Sequence, residues 1–291
     1  MTDRMRVAAL QMTSGTEPGP NLDQLERLAT EAAGQGATYL LSPEVTVVFA
    51  ENREGLRSVA GPWEGNPAIE RAAQIAKRLG VSLHLGSLAV ALPDGRFANR
   101  SVLFRPDGSI AATYDKIHLF DATLPGLKNY RESETYAGGA SAVVTDAPGF
   151  PLGMTICYDV RFPALHRALA EAGAKVISVP AAFTVPTGEA HWEVLLRARA
   201  IETGSWVIAS AQAGQHQNGR QTWGHSMIID PWGRIVSQLG GEGPGIAIAD
   251  IDLAAVDEAR GKVPALANAR PFSLTLARSG TDPTAREDVS A

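Results

Sequence analysis

Twice in this sequence an apolar run passes into an alanine-rich stretch that stops at glycine, and then into a second apolar run that closes on proline. "RVAALQM" (6–12) leads through a helix expected to be capped by Asn21 and stopped at Gly34 and Gly36, and then into "TYLLSPE" (38–44). "LGMTIC" (152–157) leads through "PALHRALAEAG" (163–173), with Pro163 at the helix start, into "AKVISVP" (174–180). A strand, a crossing helix and a second strand make a parallel pair with the helix laid on one face. The likeness of the two units reads as a weak internal repeat, since alanine-rich helices ending at glycine also recur by chance.

The intervening sequence adds antiparallel strands. Pro67 opens a helix to Leu79 that Gly80 ends, and "VSLHLGSLAV" (81–90) follows. Pro-Asp-Gly turns at 93–95 and 106–108 bracket "FANRSVLF", giving a meander that continues into "SIAATYDKIHLF". After a helix over 188–203 come "SWVIASAQA", "GHSMIID", "RIVSQLG" and "GIAIADID". The expectation is an α/β protein with mixed sheets covered by helices. No linker divides the chain: one domain is expected over 1–278, the segment from about 253 being a candidate to pack on a partner subunit. The polar stretch 279–291 is expected to be a disordered tail.

The chain has 291 residues, 45% hydrophobic and 20% charged, which suffices for a sizeable core. A net charge of −5 with scattered basic residues gives no footprint for nucleic acid or an anionic membrane, so a small-molecule partner is expected. The N-terminal apolar stretch is broken by Gln11, too short for a membrane span or a signal-peptide core. The single cysteine excludes an internal disulfide and fits a reducing compartment, so a cytoplasmic location is expected.

That cysteine, Cys157, ends an apolar strand a few residues before the helix opened by Pro163, at the kind of sheet edge where α/β folds place chemistry. A helix N-terminus and a nearby lysine would favour a thiolate able to attack a carbonyl. Position alone leaves a small buried hydrophobe equally open. The six histidines show no metal-ligand spacing, and each has an ordinary structural reading. Two charges interrupt apolar surroundings: Glu44 after "LLSP", and Lys116 within "ATYDKIHLFD". Such charges require each other or a substrate, so a structural ion pair and catalysis both stand.

Together, "SPE", "YDKIHLFD" and "CYDVRFP" resemble the nitrilase, or carbon-nitrogen hydrolase, superfamily over roughly residues 5–275. The resemblance implies a four-layer α-β-β-α sandwich with mixed sheets and a cofactor-free, metal-free cysteine hydrolase. Glu44 would be the general base, Cys157 the nucleophile, and Lys116 with the backbone N–H of Tyr158 the oxyanion donors. It also implies a second carboxylate between the lysine and the cysteine, orienting Lys116 or the substrate amide nitrogen and matched by Glu132 in "NYRESE"; Glu134 lies two residues away, and a solvated loop glutamate is the lesser alternative.

The stretch 187–233 resembles the branch of deaminated glutathione amidases and omega-amidases, which implies a linear terminal amide as substrate and ammonia as product. Phe183 and His191 are candidate pocket residues, and Glu193 and Arg197, four apart, read first as a surface pair. Ala164 and Ala181 depart from the branch's usual residues near the pocket. A nitrilase or N-carbamoyl hydrolase would keep the same three residues, and a non-catalytic binding member would keep the fold. A redox-responsive thiol lacks a second cysteine to resolve it. Family resemblance further implies a homodimer or larger homo-oligomer.

Overall fold

The computed structural model describes residues 4–123, 130–146 and 148–274. In chain order it lays down β1 (Arg4–Gln11), α1 (Pro18–Gly34), β2 (Tyr39–Leu41), α2 (Arg53–Val59), α3 (Pro67–Leu79), β3 (Ser82–Ala91), β4 (Phe97–Phe104) and β5 (Ile110–Asp115). Three short strands follow, β6 (Asp121–Ala122), β7 (Tyr130–Arg131) and β8 (Tyr136–Ala137), with a 3₁₀ turn at Glu132–Glu134. Next come β9 (Val143–Thr145), β10 (Leu152–Met154), a 3₁₀ turn at Cys157–Arg161, α4 (Pro163–Glu171), β11 (Val176–Ala181) and α5 (Val185–Thr203). The described chain closes with β12 (Trp206–Ala211), β13 (Ala213–Gln215), β14 (Gln221–Trp223), β15 (Met227–Ile229), β16 (Ile235–Gln238), β17 (Gly245–Asp252) and α6 (Ala254–Lys262).

Two mixed sheets result. One runs β17-β1-β2-β3-β4-β5, with β8 added beside β4, and the other runs β16-β15-β12-β11-β10-β9. Each holds a parallel trio, β1-β2-β3 or β10-β11-β12, flanked by antiparallel strands. The two similar strand-helix-strand stretches thus occupy corresponding places in the two sheets.

The period-2 alternation of the strands decides the layers. On β1 and β2, Val7, Ala9, Tyr39 and Leu41 enter a core shared with Met154, Val176 and Val179 of the second sheet. Ala8, Leu10 and Leu40 turn the other way onto Leu25 and Leu28 of α1 and Ile75 of α3. Helices α4 and α5 cover the outer face of the second sheet. The order is therefore helix, sheet, sheet, helix. Each fully buried leucine in these layers contributes about 1.5–3 kcal/mol of apolar transfer.

Helix α3 begins as its sequence dictates: the Asn66 side chain accepts from Ala68 N at 3.1 Å, and Pro67 fills the first turn. It stops at Gly80, whose φ of 65° is the left-handed conformation a side chain resists. Helix α1 differs from expectation. It starts at Pro18, and Asn21 is no cap; its amide donates to Gly15 O and Val47 O while its Oδ1 accepts from Gly15 N. Its polar side chain is spent on tying two loops together. Helix α5 begins at Val185, three residues before the expected 188.

Helix α6 packs against the rest of the chain, burying Val256, with Arg260 donating to Ala174 O and Thr203 O. The stretch expected to be a disordered tail, 279–291, lies outside the described residues. Among the described residues no helix is long and apolar enough to cross a membrane.

Candidate active site

Glu44 follows β2 by way of Pro43. The segment is pinned by Ser42 N donating to His84 O at 3.0 Å and by Thr46 Oγ1 donating to Pro43 O at 2.6 Å. Val45 has a φ of 52°, a conformation that costs a β-branched residue about 1–3 kcal/mol, and its N–H donates to Ser87 Oγ at 2.9 Å. This kink turns the Glu44 carboxylate back over the sheet edge. Its Oε1 accepts from Lys116 Nζ at 2.9 Å and from Asn99 Nδ2 at 3.0 Å, and its Oε2 from Ala182 N at 3.1 Å. The residue is 5% exposed.

Lys116 follows β5, and its backbone is held on both sides: its N–H donates to Asn99 O, and its carbonyl accepts from Gly139 N. Its ammonium lies between Glu44 and both oxygens of Glu132, at 2.9 and 2.8 Å from the latter. Only 2% of the residue is exposed. Burial alone would pull its proton affinity down, but Glu132, Glu44 and Cys157 together raise the pKa well above the usual lysine value, so the group stays charged. Glu132 is fixed in turn by Phe120 N at 2.6 Å and by Asn99 Nδ2 at 3.3 Å.

Cys157 opens the 3₁₀ turn after β10 with a φ of 49°. At this corner the thiol lines the same cavity as Glu44, Lys116 and Ala182, and it interacts with the Glu44 carboxylate, the Lys116 ammonium and the Ala182 N–H. Its residue is 8% exposed. Burial, followed by the facing Glu44 carboxylate, pushes the thiol well above its ordinary range, with Lys116 and the Ala182 N–H acting in the opposite sense. The resting group is thus a thiol beside a carboxylate, in contrast to the thiolate expected from the helix and lysine alone.

Asp159 ties the corner down. It is fully buried and accepts from Ile156 N, Tyr114 Oη, and both the N–H and Nδ1 of His118.

Glu44, Lys116, Glu132 and Cys157 line a cavity of about 260 Å³. Phe183, Tyr158 and Tyr136 line it. His191 does not; it is exposed on α5, where its Nδ1 accepts from Arg161 Nη1 at 3.2 Å, and Arg161 is the residue that reaches the cavity. Thr187, one helical turn earlier, lines the wall in its place. Glu193 and Arg197 form the expected surface pair at 3.1 Å. Ala164 is exposed and outside the lining, so this departure from the branch leaves the pocket wall untouched. Glu134, the neighbour of Glu132, is also outside the lining. Sequence reasoning assigns no role to Asn99 or Arg220, and none to Asp159 and Arg161, although both of the latter stand in "CYDVRFP" beside Cys157.

A model of the carbon-nitrogen hydrolase family matches residues 6–261. The deaminated glutathione amidase of Yersinia enterocolitica is 43% identical over 80% of this chain and 82% of its own length, and that of Bos taurus is 40% identical over 91% and 82%. The crystal structure of the C. elegans NitFhit protein superposes with a TM-score of 0.85 at 35% identity, over 92% of this chain and 66% of that one. With its layered fold and these relatives, the chain belongs to the carbon-nitrogen hydrolase family.

Proposed function

We propose that this carbon-nitrogen hydrolase is an amidase that cleaves a linear terminal amide through a thioester on Cys157. The observation that carries the reading is the wedge of the Lys116 ammonium between Glu44 and Glu132, beside the Cys157 thiol, at the floor of an open cavity. Glu44 takes the thiol proton as the sulfur attacks the amide carbon, and the carbonyl electrons move onto oxygen. Lys116 and the Tyr158 N–H, near the start of a turn where the first N–H groups have no partner within it, stabilise that oxyanion. One such donor contributes on the order of 10²- to 10³-fold in rate. Glu44 then gives its proton to the leaving nitrogen, ammonia departs, and the thioester remains. Water deprotonated by Glu44 attacks the thioester, releasing the carboxylic acid and restoring the thiol. Glu132 holds Lys116 in place.

The substrates we favour are deaminated glutathione or the ω-amide of a dicarboxylic or keto acid, in keeping with the names of the relatives above. The test is ammonia release from deaminated glutathione and α-ketoglutaramate between pH 6 and 9; release from either supports the reading, and silence on both contradicts it. We also propose that the protein is a homodimer or larger assembly, supported by exposed Val194 and Ile201 on α5 and Trp232 beside it. A cytoplasmic location suits a catalytic thiol that must stay reduced.

A further inference from the structure

Five cationic side chains line the cavity, Lys116 and Arg53, Arg131, Arg161 and Arg220, against two carboxylates, Glu44 and Glu132. Both carboxylates are already engaged by Lys116. The hydrogen bonds of three of the arginines go to neutral acceptors: Arg53 donates to Gly95 O, Arg131 to Tyr130 O, and Arg161 to the His191 ring, although Arg131 also faces Asp121 across the β6–β7 pair. Among the described residues the Arg220 guanidinium makes no hydrogen bond or ion pair and rests on the face of Phe49, 5.2 Å from the ring centre. The wall is therefore positive in excess, and such a wall favours an anion.

Arg220 is also well anchored. Its N–H donates to Asn218 Oδ1, its carbonyl accepts from His216 N, and Asn218 Nδ2 donates to Phe49 O, which joins the β13–β14 hairpin to the loop beyond Glu44. The His216 ring fastens the hairpin further through Ser14 O at 2.9 Å and Thr222 Oγ1 at 2.7 Å. Tyr136 lines the same cavity as Arg220 and the reactive cluster. Its phenol feels Glu132, Glu44, Lys116 and Arg220, and its hydroxyl has no hydrogen-bond partner among the described residues. Burial, then the two carboxylates, raises its pKa, so it remains a donor at neutral pH.

We propose that the Arg220 guanidinium and the Tyr136 hydroxyl form a subsite for a carboxylate at the end of the substrate remote from the scissile amide, so that the enzyme selects amides of dicarboxylic acids over neutral amides. This rests on the amidase reading above. A guanidinium binds a carboxylate with two parallel charge-assisted bonds, while a phenol adds one and contributes less.

The test compares glutaramate with 5-methylhexanamide, in which an isopropyl group replaces the carboxylate at equal length. The native enzyme should favour glutaramate in kcat/KM, and Arg220→Gln should reduce that ratio about 10- to 100-fold, chiefly through the KM for glutaramate. Arg220→Lys should restore part of the ratio, and Tyr136→Phe should lower it less. A ratio unmoved by Arg220→Gln, or a native enzyme that takes both amides equally, overturns the subsite and leaves the amidase reading intact. A native enzyme that cleaves neither of these amides, nor deaminated glutathione nor α-ketoglutaramate, overturns both.

Discussion

Asp159 Oδ1 receives both hydrogen bonds that His118 offers it, from the backbone N–H at 3.1 Å and from Nδ1 at 2.7 Å. Its Oδ2 receives Tyr114 Oη at 2.7 Å and Ile156 N at 2.9 Å. Residues 114 and 118 lie two positions either side of Lys116, and 156 and 159 bracket Cys157, so one buried carboxylate fixes the amine-bearing segment to the thiol-bearing turn. Asp159→Asn keeps the shape but presents an amide to two of the four donors. Urea denaturation should show a loss of about 2–4 kcal/mol, and kcat should fall at least about tenfold with KM little changed. An unaltered midpoint would show that this clamp holds nothing.

Gly86 is where the strand β3 passes under the Glu44 segment. A methyl group there would sit 2.0 Å from Ser42 O and 2.4 Å from Pro43 O, and both are backbone atoms with no room to yield. Gly86→Ala should therefore cost at least about 2 kcal/mol and move the neighbouring Glu44 carboxylate, lowering kcat by more than about tenfold. Gly19→Ala, with nothing within 4 Å in helix α1, should instead be neutral or stabilise by up to about 1 kcal/mol. Thermal and urea midpoints of the two variants decide; equal behaviour would contradict the packing described.

Two buried imidazoles set the acid limit. Burial lowers His84 to about 3 and His166 to about 4, both below the 6.5 of a free ring. Their contribution to stability is intact above pH 6.5 and is lost as the pH falls towards the folded values, at about 2–3 kcal/mol per ring by pH 4.5. The His84 ring is held between Tyr39 Oη and Ser101 Oγ, each at 2.7 Å, so it need not charge to be satisfied. His84→Gln should flatten the fall in the urea midpoint between pH 6.5 and 4.5, and a slope identical to the native one would refute this. On the alkaline side the raised values of Cys157 and Lys116 have the opposite sense: stability is fully present below about pH 9 and declines as the pH rises further.

Much of the fold was readable because strand alternation, Pro67, Gly80 and the Pro-Asp-Gly turns act locally. Glu44, Lys116 and Cys157 were visible because each interrupts or ends an apolar run, where a charge or a thiol has to find a partner. What sequence hid were roles created by distant chain segments. Asn21 has the composition of a cap, yet its amide serves Gly15 and Val47. Asn99 bridges Glu44 and Glu132 from a strand in which it looks like any polar residue. Helix α5 buries residues on several sides, so no apolar stripe marks its first turn, and His191 lies one turn too far along it to reach the cavity that Thr187 lines. Arg220 sits at a hairpin turn, where arginine carries no signal of its own.

Acylation of the Cys157 sulfur, served by Glu44 and Lys116, is read out by intact-mass spectrometry after a brief amide pulse quenched in acid. Native protein should gain a mass equal to the substrate's acyl group, Cys157→Ala should gain none, and ammonia should appear in equal amount during the first turnover. The same added mass on both proteins, or ammonia release that continues at the native rate in Cys157→Ala, would contradict acylation at Cys157.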